Sequence, residues 1–194
     1  MEKKETLKDG TQLVIRDLTN DDIDRLMALY GTLPLADRRY LRLDVTKKDV
    51  VENRVRSAKN RGVTWIGVFC GDKLCAEGRL ELPGEEWRKK HGEIRLVVSW
   101  KFRRKGLGLM ILRELYLLAA EKKIEKLVAK MMRPQVAVRK ICRRLGFREE
   151  TLIPDYVRDQ ESEIQDLLIM TCDMKDFWSE LEAFYGASDW RRCR

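Results

Sequence analysis

Six residues, Arg103-Arg104-Lys105-Gly106-Leu107-Gly108, carry the strongest chemical signal in the chain. They follow an apolar run, Leu96-Val97-Val98, and open a stretch with Leu107, Ile111, Leu115 and Leu118 on one helical face. A strand that passes through a glycine turn into a helix leaves backbone N–H groups unpaired at the helix start, beside the positive end of the helix dipole. Glycine lets that backbone approach a phosphate closely, and Arg103, Arg104 and Lys105 add charge. Three phosphate loops compete for the segment. A Walker A loop needs G-x-x-x-x-G-K-[ST], which does not occur. A dinucleotide loop needs G-x-G-x-x-G, and Ile111 stands where the third glycine belongs. The pattern [R/Q]-x-x-G-x-[G/A], a diphosphate cradle between a buried strand and an amphipathic helix, fits at Arg103, Gly106 and Gly108.

Glu93 is the best candidate for a reacting group near that cradle. It begins the same strand five residues before Val98, so carboxylate and strand amides can share one edge. An amine such as a lysine, with a pKa of ~10.4, is protonated at neutral pH and needs a base to make it a nucleophile, by contact or through water. Glu77 and Glu81, on the preceding strand, are reserves, and a surface glutamate beside a loop is the plain alternative for Glu93. Residues 155–166 hold Asp155, Asp159, Glu161, Glu163 and Asp166 against one Arg158. Such a rim would attract a cationic amine, although a solvated loop explains it equally well.

The elements that must position these groups read as an α/β (α+β) fold, with helices alternating around a mixed sheet. Strands are expected at 11–17, 64–70, 73–82, 93–99, 125–130, 147–157 and 167–172. Residues 64–82 form a hairpin about Gly71-Asp72. Helices are expected from Thr19 or Asn20 through Tyr30, over 36–43, over 46–60 and after Gly106. A further helix follows Pro134, with Val138, Ile141, Cys142 and Leu145 as its buried stripe and Gly146 as its stop. Phe177, Leu181 and Phe184 place a last helix in the tail, which packs on the domain or serves as a dimer contact.

The chain has 194 residues, enough for one full core. Its amino terminus is charged with both signs and is not a secretory signal. No apolar run approaches the ~18 residues of a membrane helix. The five cysteines include no CxxC pair and read as free thiols in a cytoplasmic protein. Cys70 and Cys75 flank the hairpin turn and read as strand residues rather than a disulfide. A single histidine, His91, leaves no His-based metal site and no set of candidate triads. The net charge of +8 suits an anionic partner. No aromatic residues interleave with a basic patch and no RNA-binding signature appears, which argues against nucleic acid.

The stretch from Leu96 to Leu109 resembles motif A of the GNAT N-acetyltransferases, and residues 135–147, closing on Gly146-Phe147, are similar to the helix that follows in that family. The resemblance covers residues 11–174. Arg38-Arg-Tyr-Leu-Arg-Leu43 and the strand at Glu93 look closest to the acetyltransferase domain of bacterial protein-lysine acetyltransferases. It implies a mostly antiparallel sheet splayed between the fourth and fifth expected strands, those starting at Glu93 and Glu125. It implies a domain over 1–174 followed by a helical tail over 175–194. Acetyl-CoA would be the co-substrate, with no metal, and the acceptor an amine-bearing small molecule or a protein lysine attacking directly through a tetrahedral intermediate. Backbone amides around Arg104, Lys105, Gly106, Leu107, Gly108 and Leu109 would bind pyrophosphate. Val97 and Val98 would line the pantetheine arm, with the Val98 backbone polarising the thioester carbonyl. Gln135 stands where the family often has an asparagine touching pantetheine, and Arg139 and Lys140 could meet the 3′-phosphate. Glu93 matches the glutamate base of the lysine-acetyltransferase group. Cys142 stands where many members have a tyrosine acid; a thiol could protonate the leaving thiolate, while its apolar stripe favours plain packing. A non-catalytic acyl-CoA-binding module is the alternative to an enzyme. Neither the acceptor nor the choice of monomer or homodimer follows from the sequence.

Overall fold

A computed structural model describes residues 2–7 and 9–187. Eight strands form one sheet in the order β1-β2-β3-β4-β5-β6-β8-β7. These are β1 (Glu2–Thr6), β2 (Gln12–Asp17), β3 (Val63–Cys70), β4 (Lys73–Glu81), β5 (His91–Val98), β6 (Lys126–Met132), β7 (Arg148–Arg158) and β8 (Ile164–Asp173). The helices are α1 (Ile23–Gly31), α2 (Leu35–Arg38), α3 (Lys48–Ala58), α4 (Leu107–Glu121), α5 (Val136–Arg144) and α6 (Met174–Ala187). All neighbouring strands run antiparallel except β5 and β6. That parallel pair touches over three residues only, from His91 opposite Lys126 to Glu93 opposite Val128, after which the strands part. The splay expected from the family resemblance is therefore present.

Each face of the sheet buries one core. Ile66, Ala76, Leu80 and Ile94 pack with Ile111 and Leu115 of α4. On the other face Trp65, Phe69 and Leu74 pack with Leu26, Leu29 and Tyr30 of α1 and with Val51 and Val55 of α3. Beyond the bulge at Leu74 and Cys75, the alternation along β4 and β5 sends even-numbered side chains to α4 and odd-numbered ones to α1 and α3. Helix α4 lies hard against β4 at Gly78, where an added Cβ would fall 2.2 Å from Ile111 Cγ2. This contact fixes the start of α4 at the end of β5. Phe177 of α6 is buried between Tyr116 and Phe147, with ring centroids 5.9 Å away in each case. The side chains of Leu181 and Phe184, and Cys193, lie outside the described residues.

Three expectations change. An edge strand, β1, precedes the expected first strand. Its charged sequence has no apolar alternation, and it is held by pairing with β2 and by ion pairs from Lys3 to Glu114 and from Glu5 to Arg113 of α4. The helix expected over 36–43 is a single turn. The Arg39 carbonyl, which a helix would use internally, accepts the Gln160 N–H instead, and the Leu41 carbonyl accepts Gln160 Nε2. The apolar stripe of α5 is not buried as a whole. Leu145 is covered and Cys142 packs on the core, but Val138 is 42% and Ile141 53% exposed.

Candidate active site

The gap between β5 and β6 is built by hydrogen-bond parity. Ser99 N–H donates to the Cys75 carbonyl at 2.9 Å, in register with Val98 opposite Ala76. In an antiparallel ladder bonded and non-bonded pairs alternate, so Val97 and Arg95 bond to β4 while Val98 and Leu96 turn their N–H and C=O groups the other way. The parallel side agrees, since the Lys90 carbonyl accepts from Glu125 and Lys126 at 2.8 and 3.3 Å. The main-chain groups of Leu96 and Val98 thus face the space where β6 has diverged.

The chain then turns into α4. Arg104 has φ 63° and Gly106 φ 87°, so two left-handed residues shape the turn. Glycine takes that conformation without strain, whereas arginine spends of order 1 kcal/mol on it. No side chain caps α4, and its first main-chain bond runs from Met110 N–H to the Gly106 carbonyl at 3.1 Å. The Leu107 and Gly108 amides precede that bond and have no acceptor inside the helix. A Cβ on Gly108 would meet only Val98 Cγ2 at 3.9 Å and Leu96 Cδ1 at 4.0 Å, which are ordinary contacts. Packing against the protein does not require glycine there.

The three loop cations differ. Arg103 binds Asp37 at 2.5 Å and lies over the Trp100 ring at 4.8 Å. Lys105 binds Asp9 at 3.0 Å; the Thr11 hydroxyl and then Lys105 hold the Asp9 carboxyl down to about 2. Arg104 is exposed and makes no ion pair among the described residues. On α5, Arg139 is committed to Glu149 through Nε at 2.5 Å and Nη2 at 3.1 Å, while Lys140 is exposed and unpaired among the described residues. Gln135 precedes α5, and its Oε1 accepts the Met132 N–H at 2.9 Å, leaving the Nε2 amide uncommitted.

Glu93 stands on the last paired rung of β5 and β6. Arg42 and Arg95 reach its Oε1, the latter at 2.8 Å, and Lys130 lies 3.0 Å from Oε2. A small cavity of about 130 Å³ opens beside it, lined also by Glu81, His91, Val128 and Lys130. Of the reserve carboxylates, Glu77 is buried and accepts from Trp65 Nε1 at 2.6 Å, Tyr30 at 3.2 Å and Arg79 at 3.1 Å. Glu81 pairs with Arg54 at 3.3 Å. Burial pushes the Cys142 thiol up to about 12.

The acidic segment is not an open rim. Asp159 is buried and binds Arg39 at 2.7 Å, Glu161 binds Arg39 at 2.6 Å, and Asp166 binds Arg133 at 3.0 Å. Asp159 and Glu161 fasten the β7–β8 turn to Arg39 just after α2, and Asp166 ties β8 to Arg133 just after β6. The side chains that sequence reasoning missed are Arg42, Arg54, Arg79, Arg95 and Lys130. A signal for two of them existed: Glu77-x-Arg79-x-Glu81 and Glu93-x-Arg95 place charge at every second position of two apolar strands.

The model of the acetyltransferase (GNAT) family matches residues 29–147, well over half of the chain. The chain therefore belongs to the GNAT acetyltransferase family, a class of acyl-CoA-dependent N-acyltransferases. Its fold is similar to the GNAT domain of S. lividans PAT, with a TM-score of 0.71 and 15% identity over 89% of this chain and 96% of that one. It is similar to RimL, a ribosomal L7/L12 alpha-N-protein acetyltransferase solved with coenzyme A, at TM-score 0.71 and 16% identity over 87% and 98%. It is also similar to a ribosomal-protein-alanine N-acetyltransferase from Brucella melitensis, at TM-score 0.68 and 23% identity over 82% and 98%. No curated protein sequence matches the chain. Among the described residues no helix is long and apolar enough to cross a membrane.

Proposed function

We propose that the chain transfers an acetyl group from acetyl-CoA to a primary amine, protein lysines being among the acceptors it would take. The observation that carries this reading is the early parting of β5 from β6. It leaves the Leu96 and Val98 main-chain groups facing a gap that ends at the uncapped start of α4. A pantetheine arm has amides that pair with such an edge as a strand would, and a diphosphate suits amides at a helix start.

In this reading the Leu107 and Gly108 amides and the Arg104 side chain hold the diphosphate. Arg103 and Lys105 shape the loop through Asp37 and Asp9. Lys140, rather than the committed Arg139, is placed to meet the 3′-phosphate. Gln135 offers Nε2 to the arm while its Oε1 secures the end of β6. The Val98 N–H donates to the thioester oxygen as negative charge builds there.

Glu93 takes the proton from the acceptor ammonium through water, since Arg42, Arg95 and Lys130 already occupy its oxygens. The neutral nitrogen forms the new C–N bond, the C–S bond breaks, the nitrogen loses its second proton to water, and coenzyme A leaves as a thiol after gaining a proton. Cys142 has no part in that last step. With its pKa near 12 it is a far weaker acid than an ordinary thiol at ~8.5, and its contacts are those of a core residue. The proton comes from solvent.

The test is incubation with acetyl-CoA and a panel of amines and lysine peptides, with release of free thiol as readout. Turnover that Glu93→Gln lowers by about two orders of magnitude or more, with coenzyme A binding kept, supports the reading. Tight coenzyme A binding without transfer to any acceptor would instead mark a non-catalytic acyl-CoA-binding module.

A further inference from the structure

The odd-numbered face of β4 and β5 carries an arginine cluster that touches Glu93 through Arg42 and Arg95 and extends well beyond it. Arg79 and Arg95 are direct cross-strand partners, and Trp65 of β3 stands opposite Arg79. Arg79 is buried, with its guanidinium 4.6 Å from the centre of the Trp65 ring. Its Nη2 is 3.1 Å from Glu77, but Nε and Nη1 have no hydrogen-bond partner among the described residues. The Nε of Arg95 is likewise buried without a partner. Arg54 reaches the same wall from α3, 3.3 Å from Glu81 and 5.9 Å from the Trp65 ring centre. Burial and the neighbouring Arg79 charge hold Arg54 below the usual arginine range. Arg42 comes in from the segment after α2 to Glu93.

Charge does not balance here. Arg42, Arg54, Arg79, Arg95 and Lys130 face Glu77, Glu81 and Glu93, so five cations share three carboxylates among the described residues of this cluster. The unpartnered nitrogens of Arg79 and Arg95 are themselves covered, so an oxyanion would meet the partly exposed guanidinium groups of Arg42, Arg54 and Arg95 and offset the excess charge through charge-assisted, forked hydrogen bonds. Over Arg42, Arg54 and Arg95, with Arg79 buried beneath, lies a cleft of about 900 Å³ whose charged lining is Arg42, Arg54, Arg61, Arg95 and a single carboxylate, Glu81. Glu81, Leu82 and Pro83 line both this cleft and the cavity beside Glu93. The cleft and the cavity beside Glu93 therefore adjoin across a common wall.

We propose that the acceptor carries an oxyanion as well as an amine, and that Arg95, with Arg42 and Arg54, binds that oxyanion and sets acceptor specificity. The inference rests on the acetyl-transfer reading above. Arg95 precedes Val98 by three residues, about 10 Å along a strand. The amine and the oxyanion are therefore separated by a chain of several bonds. This chemistry occurs in a free ω-amino carboxylate and in a lysine side chain flanked by acidic residues. It is the opposite of the cation-attracting rim that residues 155–166 suggest in the sequence.

Two measurements on the full chain test it. The first compares transfer from acetyl-CoA to 6-aminohexanoate and to hexylamine, which differ by the carboxylate alone, and to lysine peptides with acidic or neutral flanks. Preference for the carboxylated member of either pair by about tenfold or more in kcat/KM is expected, the size of one charge-assisted contact. Which pair shows it identifies a small-molecule or a peptide acceptor. Arg95→Gln brings that ratio towards one, and Arg95→Lys restores part of it. Equal use of the paired acceptors, or a ratio unchanged in Arg95→Gln, overturns the proposal while leaving acetyl transfer intact. The second measurement needs no turnover. Hexanoate is titrated into wild-type and Arg95→Gln protein with saturation-transfer NMR, and coenzyme A binding is followed in parallel by calorimetry. A hexanoate signal lost in Arg95→Gln, with coenzyme A heat retained, supports the site. No signal in the wild type, or an equal signal in both proteins, refutes it. Loss of coenzyme A heat in the wild type refutes the underlying reading instead.

Discussion

Replacing Gly108 with alanine separates a glycine kept for the fold from one kept for a ligand. Gly108 sits in the first turn of α4 with no positive φ, and an added Cβ meets Val98 Cγ2 at 3.9 Å and Leu96 Cδ1 at 4.0 Å. Nothing in the protein resists the methyl group, and alanine is favoured over glycine in a helix by about 0.5–1 kcal/mol. At ~2–4 °C per kcal/mol for a chain of this size, Gly108→Ala should raise Tm by about 1–4 °C. The same methyl group projects beside the Leu107 and Gly108 amides. Displacing one charge-assisted hydrogen bond to a diphosphate costs about 1.5–3 kcal/mol, or about a tenfold to hundredfold weaker Kd. Gly106→Ala is the contrast, because φ 87° makes any side chain strained there and about 1–2 kcal/mol of stability should be lost. Differential scanning calorimetry gives Tm and isothermal calorimetry with coenzyme A gives Kd. A Gly108→Ala protein that binds coenzyme A as tightly as wild type would refute the placement of the diphosphate.

Arg104→Ala should weaken coenzyme A binding several-fold and flatten its salt dependence, more than Arg103→Ala or Lys105→Ala, because those two cations already have carboxylate partners; parallel titrations at two salt concentrations decide. Glu77→Gln removes the counter-charge of Arg79 and should cost about 3–5 kcal/mol in a urea unfolding experiment. Burial opposes ionisation of Asp159, but Arg39 and the Glu161 and Glu163 amides outweigh it and hold the carboxyl below its usual value. A folded-state pKa below the unfolded one gives stability that is complete above ~4 and is lost as pH falls through the folded value. Asp159→Asn should therefore lower stability at pH 7 and remove part of the acid-limb slope, as read by urea midpoints against pH. Cys142→Ala should leave kcat within a few-fold of wild type while lowering Tm; a collapse of kcat at unchanged coenzyme A affinity would restore the thiol as an acid.

The parts of the site legible in sequence were those encoded locally. The strand–turn–helix proposed as the cradle could be found because Val97-Val98, the Gly106 turn and the Ile111–Leu115 stripe are contiguous, and their spacing alone demands strand, turn and helix. The hairpin about Gly71 and the central position of residues 93–98 were readable for the same reason. Edge and flank elements were not. Strand β1 is charged throughout and exists through pairing with β2 and two ion pairs to α4. The helix expected after Pro34 stops because Gln160, some 120 residues away in the chain, takes the Arg39 and Leu41 carbonyls. Helix α5 has an amphipathic sequence whose Val138 and Ile141 face outward, and periodicity cannot say which side of a helix meets a neighbour. The arginine pocket shows the limit most clearly. Arg42, Arg54, Arg79 and Arg95 come from four separate elements, and only cross-strand register and the packing of α3 bring them together.

Amide hydrogen exchange with and without coenzyme A tests the placement of the cofactor most directly. Leu96, Val98, Leu107 and Gly108 should gain protection when it binds, while amides of the β7 edge strand should not change. Coenzyme A binding that leaves those four amides exchanging as freely as before would contradict a diphosphate held where β5 turns into α4.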